Sequence, residues 1–296
     1  MTMVEFMERF NTEEKCREYL YKTRWPEGFV CPHCGAKAEP FRIKSRNRLQ
    51  CRHCMKQTSV TVGTILEKSR TPLVKWFLAI YMMSQDKRGC SAKKLQRDLG
   101  VAYDTAWTMS HKIRHAMGER DSLCLLEGTV EMDDAFFGGS HAGGKRGRGT
   151  DKTPVIFAVS LDENGRPRYV NAQVAAAVNG ENLARFAKEH IKPGSVIHSD
   201  GLAAYGRLGS EGYRLQAENF DLENSPAHLK WLHIIVSNAK AFILGTFHGL
   251  NDTHLQAYFD EFCYRVNRRW CPEQLFARSV LAAVSASPFS RYALIG

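Results

Sequence analysis

Apolar residues change their spacing along this chain, and each change predicts a different kind of structure. Over residues 1–25, Phe6, Phe10, Cys16, Tyr19 and Leu20 recur at roughly helical intervals, which predicts a helix, and Trp25-Pro26-Glu27-Gly28 ends it. Residues 29–62 are β-branched and turn-rich, with two close cysteine pairs inside them. From 71 to 120 the spacing is helical again. The run from Pro72 to Met83 has a strong apolar face, Ser91 starts a second helix, Leu99-Gly100-Val101 turns it, and Tyr103–Met117 makes a third.

Beyond residue 128 the texture becomes α/β. Val130–Phe137, Pro154–Leu161, Arg168–Val174 and Ser195–Ser199 predict strands, and Asn164-Gly165 predicts the hairpin turn between the second and third. Residues 138–150 are a Gly- and Arg-rich loop without core-building capacity. Asn179–His190, 229–244 and 252–269 predict helices, separated from the last strand by an irregular stretch. Periodicity alone supports an α/β fold; the order strand, strand, strand, helix, strand, helix is that of a ribonuclease-H-like (α+β) domain. Three regions result: a helix and cysteine-bearing head at 1–65, a helical segment at 66–122, and the α/β region at 123–296.

Charge alters this picture by implying a partner. The 296 residues carry a net charge of +10, with a pI near 9.2, which favours a polyanion. A membrane span is not expected, because no run of about 18 apolar residues occurs. The N-terminal stretch carries acids and lacks the basic-then-apolar order of a signal peptide. Nucleic acid is therefore the better partner. Nine cysteines, an odd number, fit a reducing compartment with one metal site better than a disulfide framework.

That metal site is spelled out by Cys31-Pro-His-Cys34 and Cys51-Arg-His-Cys54. Two knuckles, each aiming two sulfurs at one point, close a four-thiolate tetrahedron that suits zinc; an iron–sulfur or rubredoxin-like site shares the spacing. His33 and His53 are possible substitutes for a sulfur. Lys37, Arg42, Lys44, Arg46, Arg48, Arg52 and Lys56 surround the pairs and offer contacts to DNA phosphates. The stretch from Ser91 to Trp107 reads as a helix-turn-helix, with Lys112 and Arg114 on its second helix, or else as a small helical bundle.

Acids complete the candidate chemistry. Glu131-Met132-Asp133-Asp134 lies in a strand-like stretch and Asp200 ends another. Carboxylates at adjacent strand ends can hold two divalent cations about 4 Å apart, the arrangement of metal-assisted phosphodiester chemistry. An isolated Asp at a strand end is also an ordinary cap or turn residue.

Nearly the whole chain resembles the insertion-sequence transposases of the ISXO type. The likeness rests on the cysteine pairs, VEMDDAFFGG (130–139), GRGTDKTPVIFAV (147–159), HSDGLAAY (198–205), HIIVSNAKAFILGTFHGL (233–250) and HLQAYFDEFCYRVNRR (254–269). The resemblance implies a zinc-ribbon head and a DDE-type catalytic domain using Mg²⁺ or Mn²⁺. Asp133 and Asp200 would be its metal-binding acids, with Asp134 secondary. Lys240 matches a family lysine, but seven residues before it stands His233 where relatives carry Glu. Asn238 matches a variant D-D-N-K signature, so the resemblance favours Asn238 for the third position, with His233 as the other candidate. Lys240 would touch a DNA phosphate, and Lys145, Arg146, Arg148, Lys152, Arg265, Arg268 and Arg269 are further candidate backbone contacts. The implied activity is cleavage at the element ends followed by strand transfer, by a homodimer on double-stranded DNA in the bacterial cytoplasm, associated with the nucleoid. An inactive or domesticated DNA-binding descendant, or a nuclease of the same fold, is the alternative.

Overall fold

The first predicted helix breaks in two in the computed structural model, which describes residues 1–138, 152–218, 228–248 and 250–290. Helix α1 (Met3–Arg9) opens on a capping box, in which the Thr2 hydroxyl accepts from the Glu5 N–H and the Glu5 carboxylate accepts from the Thr2 N–H. Helix α2 (Glu13–Arg24) has its own N-cap, Thr12, whose hydroxyl accepts from Lys15 N–H. Two capping threonines ten residues apart in a 25-residue stretch are the local reason for the break; the apolar spacing alone hides it, because both helices bury the same aromatic side.

By internal contacts the chain divides into two units, Met1–Arg120 with Cys271–Gly296, and Asp121–Trp270. The first unit holds a three-stranded antiparallel sheet, β1 (Phe41–Ile43), β2 (Arg48–Gln50) and β3 (Gln57–Thr58). It also holds helices α3 (Leu73–Gln85), α4 (Ala92–Leu99) and most of α5 (Tyr103–Asp121). Ser91 caps α4, and Gly100 ends it in the left-handed region at φ 58°, where a Cβ would be strained. A late helix, Leu275–Ser285, packs on α3 and α2. Its Phe276 ring meets Phe6, Phe10, Tyr19, Phe77 and Tyr81 at centroid distances of 4.7–6.3 Å among the group. This aromatic cluster is why residues 271–290 belong with the head, whereas the sequence reading ran its third region to 296.

The second unit is a five-stranded sheet. Its strands are β4 (Thr129–Phe137), β5 (Thr153–Leu161), β6 (Pro167–Val174), β7 (Val196–Ser199) and β8 (Arg214–Ala217), in the order β6-β5-β4-β7-β8. Strands β4, β5 and β6 are antiparallel neighbours, and β7 and β8 run parallel to β4. Counted within the sheet, that order is 3-2-1-4-5, the ribonuclease-H-like arrangement expected from the sequence. Strand β8 lies in the stretch read as irregular; its four residues, Arg-Leu-Gln-Ala, bury little and give almost no alternation to detect.

Helix α6 (Gly180–His190), capped by Asn179, covers one face of the sheet, where Val130, Met132, Ile156, Ala158 and Ile197 point. After a single turn, α7 (Arg207–Ser210), and β8, the chain forms α8 (Lys230–Thr246) and α9 (Leu255–Val266), which cover the other face over Ala135, Phe137, Val155, Phe157, Val159, Val170 and Ala172. The helix at 275–285 is α10.

Packing of α9 on the sheet edge carries a titratable group. Gln256 donates to Ala172 O and accepts from Val174 N–H, and it also donates to the Asp260 carboxylate at 2.8 Å. Burial pushes the Asp260 carboxyl up from 3.8 to about 7, opposed by the Gln256 hydrogen bond and reinforced by Asp121. A folded-state pKa above the unfolded one makes this group's contribution complete below about 4 and lost as pH rises through about 7. Asp260→Asn should therefore gain stability relative to the wild type as pH is raised from 4 to 7. Denaturant unfolding of both proteins across that range checks it; a difference independent of pH would show that Asp260 titrates normally.

Candidate active site and zinc ribbon

In the first unit the four cysteines converge as the spacing requires. The Sγ atoms of Cys31, Cys34, Cys51 and Cys54 all lie within 4.8 Å of one another, and among the described residues they are the group of His, Cys, Asp and Glu ligand atoms that gathers so closely. Cys31–Cys54 and Cys34–Cys51 are each 3.7 Å apart. Sulfurs about 2.3 Å from a central zinc would form a tetrahedron with edges of about 3.8 Å, so the donor set fits the ion. The two knuckles repeat one design. The N–H groups of His33 and His53 donate to the first sulfur of each pair at 3.4 and 3.3 Å, and Gly35 and Met55, each four residues after that first cysteine, turn the chain with positive φ. Both histidine side chains point to solvent and stand outside the cluster.

Of the basic residues around the ribbon, the structure sorts two kinds. Arg42 is tied to Glu18 at 3.1 Å and lies over Tyr21. Arg46 and Arg48 instead meet Arg17 and Arg70 around a cleft of about 440 Å³, bordered by α2, the β1–β2 turn and the start of α3. Its carboxylate, Glu13, is engaged with Val74 N–H and Arg17.

The helix-turn pair read over residues 91–117 is present as α4 and α5. On α5, Arg114 is 1% exposed and donates to Ser110 Oγ, and Lys112 donates to Ile65 O, so both cations have protein partners.

In the second unit the strand register places the acids. Thr129, Val130 and Glu131 pair with Val196, Ile197 and His198 across parallel β4 and β7, so Asp133 on β4 and Asp200, the residue after β7, each stand two residues beyond the last pair. Alternation then decides the faces. Glu131, Asp133, Ala135 and Phe137 point to the α8 side, whereas Asp134 points with Val130 and Met132 to the α6 side. Asp133 thus shares the α8 face and Asp134 does not. Asp200 sits in a turn in which its Oδ1 accepts from Leu202 N–H at 3.2 Å. Paired carboxylate oxygens at this edge are the donors a hard divalent cation takes. A separate cleft of about 730 Å³ opens at the other end of the same strands, bordered by Gly128, Val196 and Arg214, and its charges are largely paired through Glu127 with Arg168 and Lys192.

Glu131 has a role that sequence reading missed. It is 6% exposed and accepts from Leu232 N–H at 2.7 Å and from Trp231 N–H. These are the unpaired donors at the start of α8, whose own N-cap, Leu229, is left-handed and gives no side-chain bond. Glu131 therefore caps α8 from β4. Burial raises its pKa and the two backbone donors draw it back. The available signal was its position two residues before Asp133, on the same strand face.

The cap fixes which flank of α8 looks at the acids. At about 100° per residue, His233 and Lys240 fall about 20° apart, while Asn238 lies about 160° from Lys240. Lys240 Nζ stands 5.9 Å from the Phe137 ring of β4. On the opposite flank, Trp231 Nε1 donates to Gly165 O in the β5–β6 turn and Phe242 packs on Phe262 of α9. His233 and Lys240 therefore share the β4 side, and Asn238 faces away from it. Burial lowers the His233 pKa, with a further push from nearby His228.

The remaining predicted cations divide. Lys145, Arg146 and Arg148 lie outside the described residues. Lys152 packs beside Gly138 at the β4–β5 end. The arginines of α9 are held internally: Arg265 pairs with fully buried Glu261 at 3.3 Å, and Arg268 pairs with Asp121 at 2.7 Å over the Tyr264 ring. Arg269 donates to Pro167, Arg168 and Val266 carbonyls. Asn267 joins them by bonding Val170 N–H and O and the Asp121 carboxylate. This cluster clamps α9 to the sheet edge, so the expectation that it tracks phosphates gives way to a structural role.

The protein thus combines a ribonuclease-H-like sheet with a four-cysteine ribbon. Profiles of known families match both parts: the transposase zinc-ribbon domain matches residues 11–57 and the ISXO2-like transposase domain matches residues 125–267. The chain thus carries a transposase zinc-ribbon domain followed by an ISXO2-like transposase domain. It is 26% identical over 221 residues to an uncharacterized protein in transposable element ISH50 of Halobacterium salinarum, covering 68% of this chain and 72% of that one. Solved structures with partial likeness include the catalytic core domain of BIV integrase (12% identity, 51% of this chain, 94% of that chain, TM-score 0.34). Another is a pre-cleavage Mos1 transpososome (11%, 72% of this chain, 79% of that chain, TM-score 0.24).

The purified protein is expected to hold about one zinc per chain, and Cys51→Ser to lose it while loosening the ribbon, because metal binding and folding are coupled in such small sites. Elemental analysis together with proteolysis of residues 29–62 tests this. A folded, protease-resistant ribbon without metal would overturn it.

Proposed function

We propose that this transposase binds the ends of its insertion sequence, cleaves there and joins the freed strand to target DNA. The observation that carries this reading is the position of Asp133 on β4 and of Asp200 directly after the adjacent parallel strand β7, in a chain that carries this transposase domain. Mg²⁺ or Mn²⁺ held by these two carboxylates would activate water and neutralise charge on the scissile phosphate. Asp133 is set by the middle of a nine-residue strand, and its direction is fixed by the pleat. The α8 geometry supports His233 over Asn238 as the third group. Lys240, on the same flank, supplies a point charge for a phosphate of the bound strand. An element has two ends and each chain one such site, which favours two copies acting together.

In the head, the Arg17–Arg46–Arg48–Arg70 cleft is the surface best suited to a DNA backbone. Among the described residues, no helix is long and apolar enough to cross a membrane.

Strand-transfer assays on oligonucleotides carrying the element ends test the chemistry. Asp133→Asn and Asp200→Asn should each lower cleavage by roughly a hundredfold or more while DNA binding persists. His233→Ala should lower it by at least about tenfold and Asn238→Ala by less than about threefold. Normal cleavage by both Asp variants would refute the site. Binding without cleavage by the wild type under either metal would favour a DNA-binding descendant, a reading that the neutral His233 itself keeps in play.

Salt titrations separate the two groups of arginines. Alanine at Arg46, Arg48 or Arg70 should each reduce the slope of log affinity against log salt by about one. Arg268→Ala should leave the slope unchanged but destabilise the fold by about 3 kcal/mol, because it strands Asp121. An unchanged slope for all three cleft variants would remove the cleft from the DNA path.

A further inference from the structure

The third carboxylate that His233 fails to supply has a counterpart elsewhere on the sheet. Strand β8 lies beside β7 in parallel register, with Ser199 opposite Ala217, and the N–H of Glu218 donates to Ser199 O at 3.1 Å, which extends the ladder by one residue. Glu218 thus follows β8 as Asp200 follows β7. Ile197 and Leu215 pack into the cluster on the α6 side. By alternation His198 and Asp200, and likewise Gln216 and Glu218, belong to the α8 side. Asp200 and Glu218 are therefore neighbours directly after β7 and β8, and strand alternation assigns both to the face that carries Asp133.

A second observation points to a ligand at this corner. His228, two residues before α8, has a side chain only 5% exposed, and its Nδ1 lies 3.8 Å from Glu218 Oε2. Its Nε2 is buried with no hydrogen-bond partner. A buried imidazole nitrogen left unpaired costs about 1–3 kcal/mol and calls for a water or ion to meet it. The ring thus sits against the end of β8, with this nitrogen left over. A hydrated hard cation carries water molecules that can satisfy such an atom.

We infer that Glu218 is a metal-ligating residue of the active site: it holds a divalent cation together with Asp200, and His228 Nε2 receives a water of that cation's shell. This rests on the proposed role of Asp133 and Asp200, to which it adds a carboxylate that no DDE pattern assigns. The Glu218 side chain is 62% exposed, open to an ion arriving from solvent. It also explains how the site keeps three carboxylates although α8 brings a neutral imidazole.

Manganese binding tests this without reference to activity. The full-length, zinc-loaded protein is titrated with Mn²⁺, and the unbound ion is read by electron paramagnetic resonance. Glu218→Gln should weaken Mn²⁺ binding by roughly tenfold, Glu218→Asp should recover most of it, and Glu163→Gln, an exposed acid in the β5–β6 turn, should match the wild type. Asp133→Asn and Asp200→Asn, run in parallel, should weaken binding at least as much as Glu218→Gln. If both aspartate variants weaken binding and Glu218→Gln does not, the two-aspartate site stands and Glu218 is no ligand. If none of the three weakens it, or if the wild type binds no Mn²⁺ at millimolar concentration, the site and Glu218 fall together. Melting temperatures of all variants are measured alongside; a Glu218→Asp variant that folds normally but binds no better than Glu218→Gln also overturns the assignment.

Discussion

The second unit depends on how β4 is flanked. On one side it pairs antiparallel with β5 along nine residues, from Thr129 opposite Leu161 to Phe137 opposite Thr153. On the other it pairs parallel with β7 over three. The long pairing makes β4 rigid. The short parallel one ends just where the acids begin, so β7 releases Asp200 into a turn while Asp133 is still held in the strand. A shift of one residue in either ladder would send Asp133 to the α6 face and dissolve the pair, because the side-chain period of a strand is two. Hydrophobic burial on both faces, with Val130 and Met132 on one and Ala135 and Phe137 on the other, is what forbids that slip.

Attached to this strand is the placement of α8. A helix start costs stability when its amide donors are buried without partners. Here Glu131 supplies the partners from two residues before Asp133, so the same strand that presents the proposed metal-binding acid also fixes the axis and rotation of the helix facing it. His233 and Lys240 inherit their side of the helix from that rotation. The carboxylate is costly to bury, and two backbone donors at a positive helix end offset the cost.

Positive charge is abundant in this chain, yet little of it can be assigned to DNA from composition. In α9 the run Arg265-Val266-Asn267-Arg268-Arg269 looks like a phosphate track, but its side chains meet Glu261, Asp121 and backbone carbonyls. In the head, by contrast, Arg46, Arg48 and Arg70 are far apart in sequence from Arg17 and still border one cleft. Whether a cation faces water or an internal acid depends on partners far along the chain, and Asp121 is nearly 150 residues from Arg268.

The chain's residues by themselves determined the ribbon, most helices and strands, and the likeness to the transposase domains. Cysteine spacing dictates a knuckle locally, capping residues such as Ser91 and Asn179 mark helix starts, and apolar alternation marks buried strands, all within a few neighbouring residues. Asp133 and Asp200 were legible for the same reason, as acids at ends of strands whose pattern is local. The break between α1 and α2, strand β8 and the return of α10 to the head were not, since the first is masked by a shared apolar side, the second has almost no pattern, and the third is set by Phe276 meeting rings from α1, α2 and α3. Only the tertiary structure decided that Asp134 turns away from Asp133's face, that His233 rather than Asn238 accompanies Lys240, and that Glu131 and Glu218 stand on the same face as the acids. Each of these is a question of register or helix rotation, and both are fixed by packing between segments a hundred residues apart rather than by the order of residues within one.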